Sequence, residues 1–138
     1  MRFQKLLYST FLLVAVSISA FAQYEYFDYP GATETWVTAM NDQGDFVGYY
    51  SDGSTTKGFF VIGTDTIDLV YPGATSTWAY GITTSRKIVG KYTDNGTLTD
   101  TEGFTYDYYN PQYTDVTFLQ TGNADFTEVR DMNENDCW

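Results

Sequence analysis

A motif that returns is the strongest constraint on how this chain can fold. Pro30-Gly31-Ala32-Thr33-Glu34-Thr35-Trp36 comes back as Pro72-Gly73-Ala74-Thr75-Ser76-Thr77-Trp78, 42 residues on. The spacing then holds without a gap: Met40 maps to Ile82, Phe46 to Ile88, Val47 to Val89, Gly48 to Gly90, Tyr50 to Tyr92 and Asp52 to Asp94. After three inserted residues, Gly58-Phe59 maps to Gly103-Phe104. A degenerate third copy begins at Thr121-Gly122-Asn123-Ala124, with Thr127 in the place of Thr77 and Met132-Asn133-Glu134-Asn135 in the place of Met40-Asn41-Asp42-Gln43. Units of this size cannot bury an apolar face alone and must stack on one another.

The unit reads as β-structure. Trp36 to Met40 and Asp45 to Tyr50 are short β-branched and aromatic runs, joined by the turn residues Asn41-Asp42-Gln43-Gly44. Lys57 to Ile62 and Thr66 to Val70 supply a third and fourth run, and Tyr71-Pro72-Gly73 turns the chain into the next unit. There, Thr77 to Ile82, Lys87 to Tyr92, Glu102 to Tyr106 and Tyr113 to Leu119 repeat the series. The predicted fold is all-β: antiparallel four-stranded repeats of about 40–45 residues, which is the size of a β-propeller blade.

Repeat 1 is placed at about 24–66, repeat 2 at about 67–112 and a truncated repeat 3 at about 113–138. That is about two and a half units, where a closed propeller holds about four to eight. Trp138 aligns with Phe46, inside a strand, so the sequence predicts an amino-terminal fragment of a longer array. The alternative is a short chain that completes its sheet by self-association. Gly48 and Gly90, central in their strands, predict close backbone approach or an aromatic from the neighbouring sheet packed over them. Trp36 and Trp78 share a repeat position and are expected to fill the gap between stacked sheets rather than to act as ligand platforms.

Residues 1–22 have the layout of a secretory signal. Arg2 and Lys5 precede an apolar run from Leu6 to Ile18, and Ala20-Phe21-Ala22 places the cut before Gln23. The run is short for a membrane span, which needs about 20 residues. Residues 23–138 are therefore expected to form a single secreted, extracellular or periplasmic domain with no span after cleavage. With the leader removed, five bases face eighteen acids. Such a charge repels phosphate backbones and anionic lipid, which excludes nucleic acid as a partner. An aromatic content of 19% sets the chain apart from disordered acidic tails. With no His and a lone Cys137, it offers no His-based triad, no His-containing zinc site and no intrachain disulfide.

The order of these segments resembles the HAF-repeat extracellular proteins. In that family a Pro-Gly-Ala turn, an Ile-Asn-x-x-Gly hairpin, an Ile-Val-Gly-x-Tyr strand and a His-Gly-Phe strand follow one another. The counterparts here are Pro72-Gly73-Ala74, Gly81-Ile82-Thr83, Ile88-Val89-Gly90-Lys91-Tyr92 and Glu102-Gly103-Phe104. The first copy gives Met40-Asn41-Asp42-Gln43-Gly44, Phe46-Val47-Gly48-Tyr49-Tyr50 and Lys57-Gly58-Phe59. The match covers about residues 25–138 and departs at the His position, which holds Lys57 in one copy and Glu102 in the other. The resemblance implies an exported repeat protein and transfers no catalytic residue.

The residues themselves bring three chemistries into question. Paired-acid glycoside chemistry would draw on Asp42, Asp45, Asp52, Asp65, Asp94 and Asp100, which nearly all fall in predicted turns where Asp bonds locally. Asp131, Asn133 and Asn135 alternate like the opening of a calcium loop, but Asp136 stands where such a loop needs Gly, and the segment aligns with an ordinary hairpin turn. Glycan binding would use exposed aromatics such as Tyr49, Tyr106, Tyr108 and Tyr109, and only one of the adjacent Tyr49 and Tyr50 can point inward. The expected function is a non-catalytic binding or cell-surface scaffold module with no catalytic, cofactor or metal residues and a glycan or surface protein as partner. The alternative is the non-catalytic part of a secreted carbohydrate-active enzyme.

Overall fold

The computed structural model describes residues 26–94, 101–116 and 129–133. The leader at 1–22, Asp100, Cys137 and most of repeat 3 lie outside the described residues. Among the described residues, eight strands follow one another: β1 (Glu34–Met40), β2 (Phe46–Ser51), β3 (Thr56–Ile62), β4 (Asp65–Leu69), β5 (Ser76–Ile82), β6 (Lys87–Thr93), β7 (Glu102–Asp107) and β8 (Gln112–Val116). They form two four-stranded antiparallel sheets, β1-β2-β3-β4 and β5-β6-β7-β8. The described chain is all-β, with a strand at each of the eight expected places. The expected unit boundaries near 66 and 112 fall inside β4 and at the first residue of β8.

The second sheet reproduces the first sheet's register. Val37 pairs with Gly48 and Met40 with Phe46; 42 residues on, Ala79 pairs with Gly90 and Ile82 with Ile88. Both first strands carry a bulge at the same place, between Val37 and Ala39 and between Ala79 and Gly81. Because side chains alternate across a strand, the bulge lets Val37 and Met40 share one face although they stand three positions apart.

Opposite faces of the sheets meet different neighbours. One face of the first sheet gives Val47, Phe60 and Leu69 to a core shared with Ala79, Ile82 and Ile88 of the second. At the β1 bulge, the Thr38 hydroxyl donates to the Ala79 carbonyl at 2.9 Å and ties the two sheets together. The other face of the first sheet packs Tyr50, Phe59 and Val61 against Phe27 and Tyr29 from the chain ahead of β1. Beyond the second sheet, Val129 and Met132 cover Val89 and Val116. Met132, the residue aligned with Met40 and Ile82, therefore packs on the second sheet much as Ile82 packs on the first.

Gly48 and Gly90 sit under aromatics of their own sheet, not of the neighbouring one. Phe59 is the cross-strand partner of Gly48, and Phe104 of Gly90. A Cβ on Gly48 would overlap the Trp36 carbonyl and lie 2.7 Å from the Phe59 ring; one on Gly90 would overlap the Trp78 carbonyl and lie 2.9 Å from Phe104. The tryptophans also depart from expectation. Trp36 is 40% exposed and Trp78 half-buried, while Phe59, Phe60 and Phe104 fill the interior. Trp36 pairs with Tyr49 beyond the reach of the Val47-Phe60-Leu69 core, so it lines a margin of the sheet stack.

Candidate functional site: tyrosine clamps and an aromatic margin

Each sheet is entered through a Tyr-Pro-Gly-Ala turn that docks on it in the same way. The turn closes with Ala32 N–H on the Tyr29 carbonyl, and 42 residues later with Ala74 N–H on the Tyr71 carbonyl. The Tyr29 and Tyr71 amides donate to the hydroxyls of Thr35 and Thr77, both at 3.0 Å. That fixes the tyrosine ring over the second strand of its sheet. Tyr29 stacks on Tyr50 with ring centres 3.7 Å apart, and Tyr71 on Tyr92 at 3.6 Å.

A carboxylate from the fourth strand closes each clamp. Asp68 accepts the Tyr29 hydroxyl at 2.6 Å and the Tyr50 hydroxyl at 3.2 Å. Asp115 accepts from Tyr71, while the Tyr92 hydroxyl lies 2.6 Å from Glu102 and 3.3 Å from Asp115. Glu102 stands at the position of Lys57, where the resemblance led to a histidine, so that position lies beside the clamp. Burial and the bond to Asp68 push the Tyr29 phenol well above its ordinary value; burial and the bond to Glu102 do the same to Tyr92. The bond to Asp115 and burial raise Tyr71, and burial raises Tyr50. Phenols held this way stay protonated and act as donors, so the acids serve as acceptors in a structural tie.

At the opposite end of the sheets, the two hairpin turns are joined. Asn41 Oδ1 accepts the Gln43 and Asp45 amides, each at 3.0 Å, as an Asx turn does. Asn41 Nδ2 donates to Asp45 Oδ2 at 3.2 Å and, across the sheets, to the Thr83 carbonyl at 3.1 Å. Arg86 Nε donates to the same Asp45 oxygen at 2.7 Å, and its Nη1 to the Tyr109 hydroxyl at 2.8 Å. Asp45 is only 3% exposed. The turn acid of the sequence analysis is thus a buried ion-pair partner.

Along one margin the aromatics run across both sheets. Trp36 stacks on Tyr49 with ring centres 4.9 Å apart, and Tyr49 meets Tyr80 edge-on at 6.1 Å. Lys91 Nζ lies 5.2 Å from the Trp78 ring centre and 5.7 Å from that of Tyr80, and the Arg130 guanidinium also lies 5.7 Å from Tyr80. Cations over aromatic faces in this way add electrostatic attraction to the packing.

Of the four tyrosines considered as platforms, Tyr49 belongs to this margin. Tyr106 and Tyr108 are half-buried, Tyr106 against Tyr113 and Tyr108 edge-on to Phe60. Tyr109 is exposed beside Arg86. Tyr50 is the inward member of its pair. Asp42, Asp65 and Asp94 are exposed and apart, and Asp52 caps its own turn by accepting the Ser54 and Thr55 amides at 2.9 Å. These backbone bonds hold its carboxyl below the usual range. Asp131 accepts the amide of its neighbour Met132, and Asn135 lies outside the described residues. Among the described residues, no three His, Cys, Asp or Glu side chains gather in a group that could hold an ion.

Sequence reasoning passed over Tyr29, Asp68, Tyr71, Asp115, Arg86 and Tyr80. Tyr29 and Tyr71 carried a signal, since both precede the repeated Pro-Gly-Ala. Asp68 and Asp115 are 47 residues apart, because two more residues enter at the β7–β8 turn, and a fixed offset does not align them. No family model, curated protein or solved structure matches the chain.

Proposed function

We propose that this chain is an exported, non-catalytic β-repeat module whose two sheets are consecutive propeller-like blades, and that it binds a glycan through the aromatic margin. The observation that carries the binding role is the unbroken run Trp36–Tyr49–Tyr80–Lys91–Trp78 across two sheets. Ring faces at a margin offer the apolar stacking surface that the C–H face of a sugar uses, with cations close by for hydroxyls or acid groups. The blade reading draws support from the shared register and the face-to-face core, and the exported location from the leader and the resemblance to HAF-repeat proteins. The non-catalytic role is favoured because the neighbouring acids Glu102 and Asp115 are both taken up by phenol hydrogens.

The test is a titration of intrinsic tryptophan fluorescence with neutral and acidic oligosaccharides. A saturable change that disappears in Trp36→Ala is expected. No saturable change with either class would overturn the glycan role, and release of shorter sugars from the same panel would overturn the non-catalytic one.

A further inference from the structure

Val37, Met40 and Phe46 stand 42 residues ahead of Ala79, Ile82 and Ile88, on the corresponding face of the first sheet. The two sets meet different surroundings. Ala79, Ile82 and Ile88 are 0%, 8% and 0% exposed, because Val47, Phe60 and Leu69 of the first sheet lie on them. Val37 is 48% exposed and Met40 65%. With Phe46, Val61, Tyr26 and Phe27 they line a groove of about 430 Å³, and no lining residue is charged. In a chain of net charge −11, a charge-free apolar face of this kind is a mark of an interface.

We propose that this face docks a further four-stranded sheet of the same repeat, one that presents valine, phenylalanine and leucine as the first sheet presents Val47, Phe60 and Leu69 to the second. The contact would continue the sheet-on-sheet interface already present, one unit further along. The chain path supports it. Tyr29 to Glu34 follows the same hydrogen-bonded course as Tyr71 to Ser76, the segment that runs beside the existing interface.

A second copy of this chain does not fit as the occupant. Its own Val47-Phe60-Leu69 face is already buried against its β5. The far face of its second sheet carries Thr105, Asp107 and Thr114 where the first sheet carries Phe60, Ile62 and Ile67. Those residues border a polar cleft of about 320 Å³ with Lys87, Asn110 and Gln112. Pressing them onto Met40 and Phe46 would bury polar groups without partners.

The test lengthens the full chain by one extra copy of residues 29–70, inserted between Asp28 and Tyr29, with Met40→Leu in the inserted copy only. Peroxide oxidation of the remaining Met40 is followed by mass spectrometry. Oxidation follows exposure, so a slowing of about tenfold or more against the unaltered chain is expected. An unchanged rate in a lengthened chain that shows a cooperative thermal transition overturns the proposal. Two measurements on the unaltered chain guard against a lengthened chain that does not fold. The folded protein should bind the dye 1-anilinonaphthalene-8-sulfonate and lose that binding in Met40→Lys; no binding, or binding that survives, overturns the open groove. Sedimentation should give a monomer. A dimer that Met40→Lys dissolves would make a second copy the occupant and overturn the proposal.

Discussion

The β1–β2 and β5–β6 turns hold the same place in their sheets and fill it with different chemistry. Gly44 takes a φ of 82° without penalty, whereas its counterpart Arg86 holds a φ of 60°. For a residue with a Cβ, that left-handed conformation costs roughly 1–2 kcal/mol. The guanidinium it carries reaches back to Asp45, in the first turn, and forward to Tyr109. The departure from the repeat therefore marks one of the places where the two units are joined. Where the copies agree, at the tyrosine clamps and strand glycines, each sheet satisfies its own needs. Where they differ, one sheet serves the other.

The largest expected effect tests the agreement. Gly48→Ala and Gly90→Ala each drive a Cβ into a backbone carbonyl and an aromatic ring, so neither can relax by moving a flexible side chain. Each should lower stability by about 3 kcal/mol or more in urea denaturation, at the upper end of overpacking effects. Nearly equal losses are expected. A loss below about 1 kcal/mol in one sheet would show that its strands are free to part, and the equivalence would fail there.

The next effect tests the difference. Asp45→Ala takes the carboxylate from Arg86 and one of two acceptors from Asn41, in a place where the carboxylate side chain is 5% exposed and the arginine side chain 19%. A loss of about 2–3 kcal/mol is expected, below the value for a fully buried pair because the arginine keeps some contact with water. Arg86→Gly should cost a similar amount, about 2 kcal/mol, since it leaves the nearly buried Asp45 carboxylate without its cation but also relieves the left-handed strain. If Arg86→Gly costs less than about 0.5 kcal/mol, the arginine contributes nothing net through Asp45, and the join between the turns rests on Asn41 and the Thr83 carbonyl instead.

The clamps should respond unequally to loss of a hydroxyl. Tyr92 meets Glu102 at 2.6 Å, whereas Tyr50 meets Asp68 at 3.2 Å and leaves that acid still holding Tyr29. Tyr92→Phe should cost about 1.5 kcal/mol, as for a bond to a charged group, and Tyr50→Phe about 0.5 kcal/mol. Both clamps also set an alkaline limit. Tyr29, Tyr50, Tyr71 and Tyr92 all keep their protons to higher pH in the fold than in the unfolded chain. Above the ordinary tyrosine value of about 10, the folded state binds more protons, so stability is complete below that pH and falls as pH rises beyond it. The phenolate absorbance contributed by these four tyrosines should therefore rise only with unfolding; their ionisation near pH 10 in a still-folded chain would sink the clamp model.

Much of the fold was legible from the repeat, because period-2 alternation and turn chemistry act within a few residues of one another. All eight strands follow from runs such as Phe46 to Tyr50 and turns such as Asn41 to Gly44. The candidate site was less legible, because its parts come from different strands. Tyr29, Tyr50 and Asp68 meet only when β2 and β4 share a face, and although Asp68 falls within the predicted run Thr66 to Val70, nothing in that run points to its tyrosine partners. The tryptophans misled for a related reason. Repetition identifies a shared environment but does not say whether that environment is core or margin, and the bulge and packing of β5 decide it. Arg86 was readable in principle, since it stands where the hairpin pattern places glycine.

The smallest expected effect bears on the position where the resemblance led to histidine. Lys57→Glu gives the first clamp the acid that the second has in Glu102. It removes a 3.9 Å ion pair with Asp52 between side chains that are each 39% exposed, a contact worth less than about 0.5 kcal/mol after screening. It adds an acceptor for the Tyr50 hydroxyl and one more negative charge near Asp52 and Asp68. These contributions oppose each other, so stability at neutral pH should move by no more than about 0.5 kcal/mol. The titration is the sharper measurement. At present the Lys57 charge pulls the Tyr50 phenol down against the effect of burial. Replacing that charge with a carboxylate should move phenol ionisation to higher pH, toward the behaviour of Tyr92. An unchanged alkaline profile would mean that the residue at this position does not reach the clamp, and that Glu102 holds Tyr92 through a geometry the first sheet lacks.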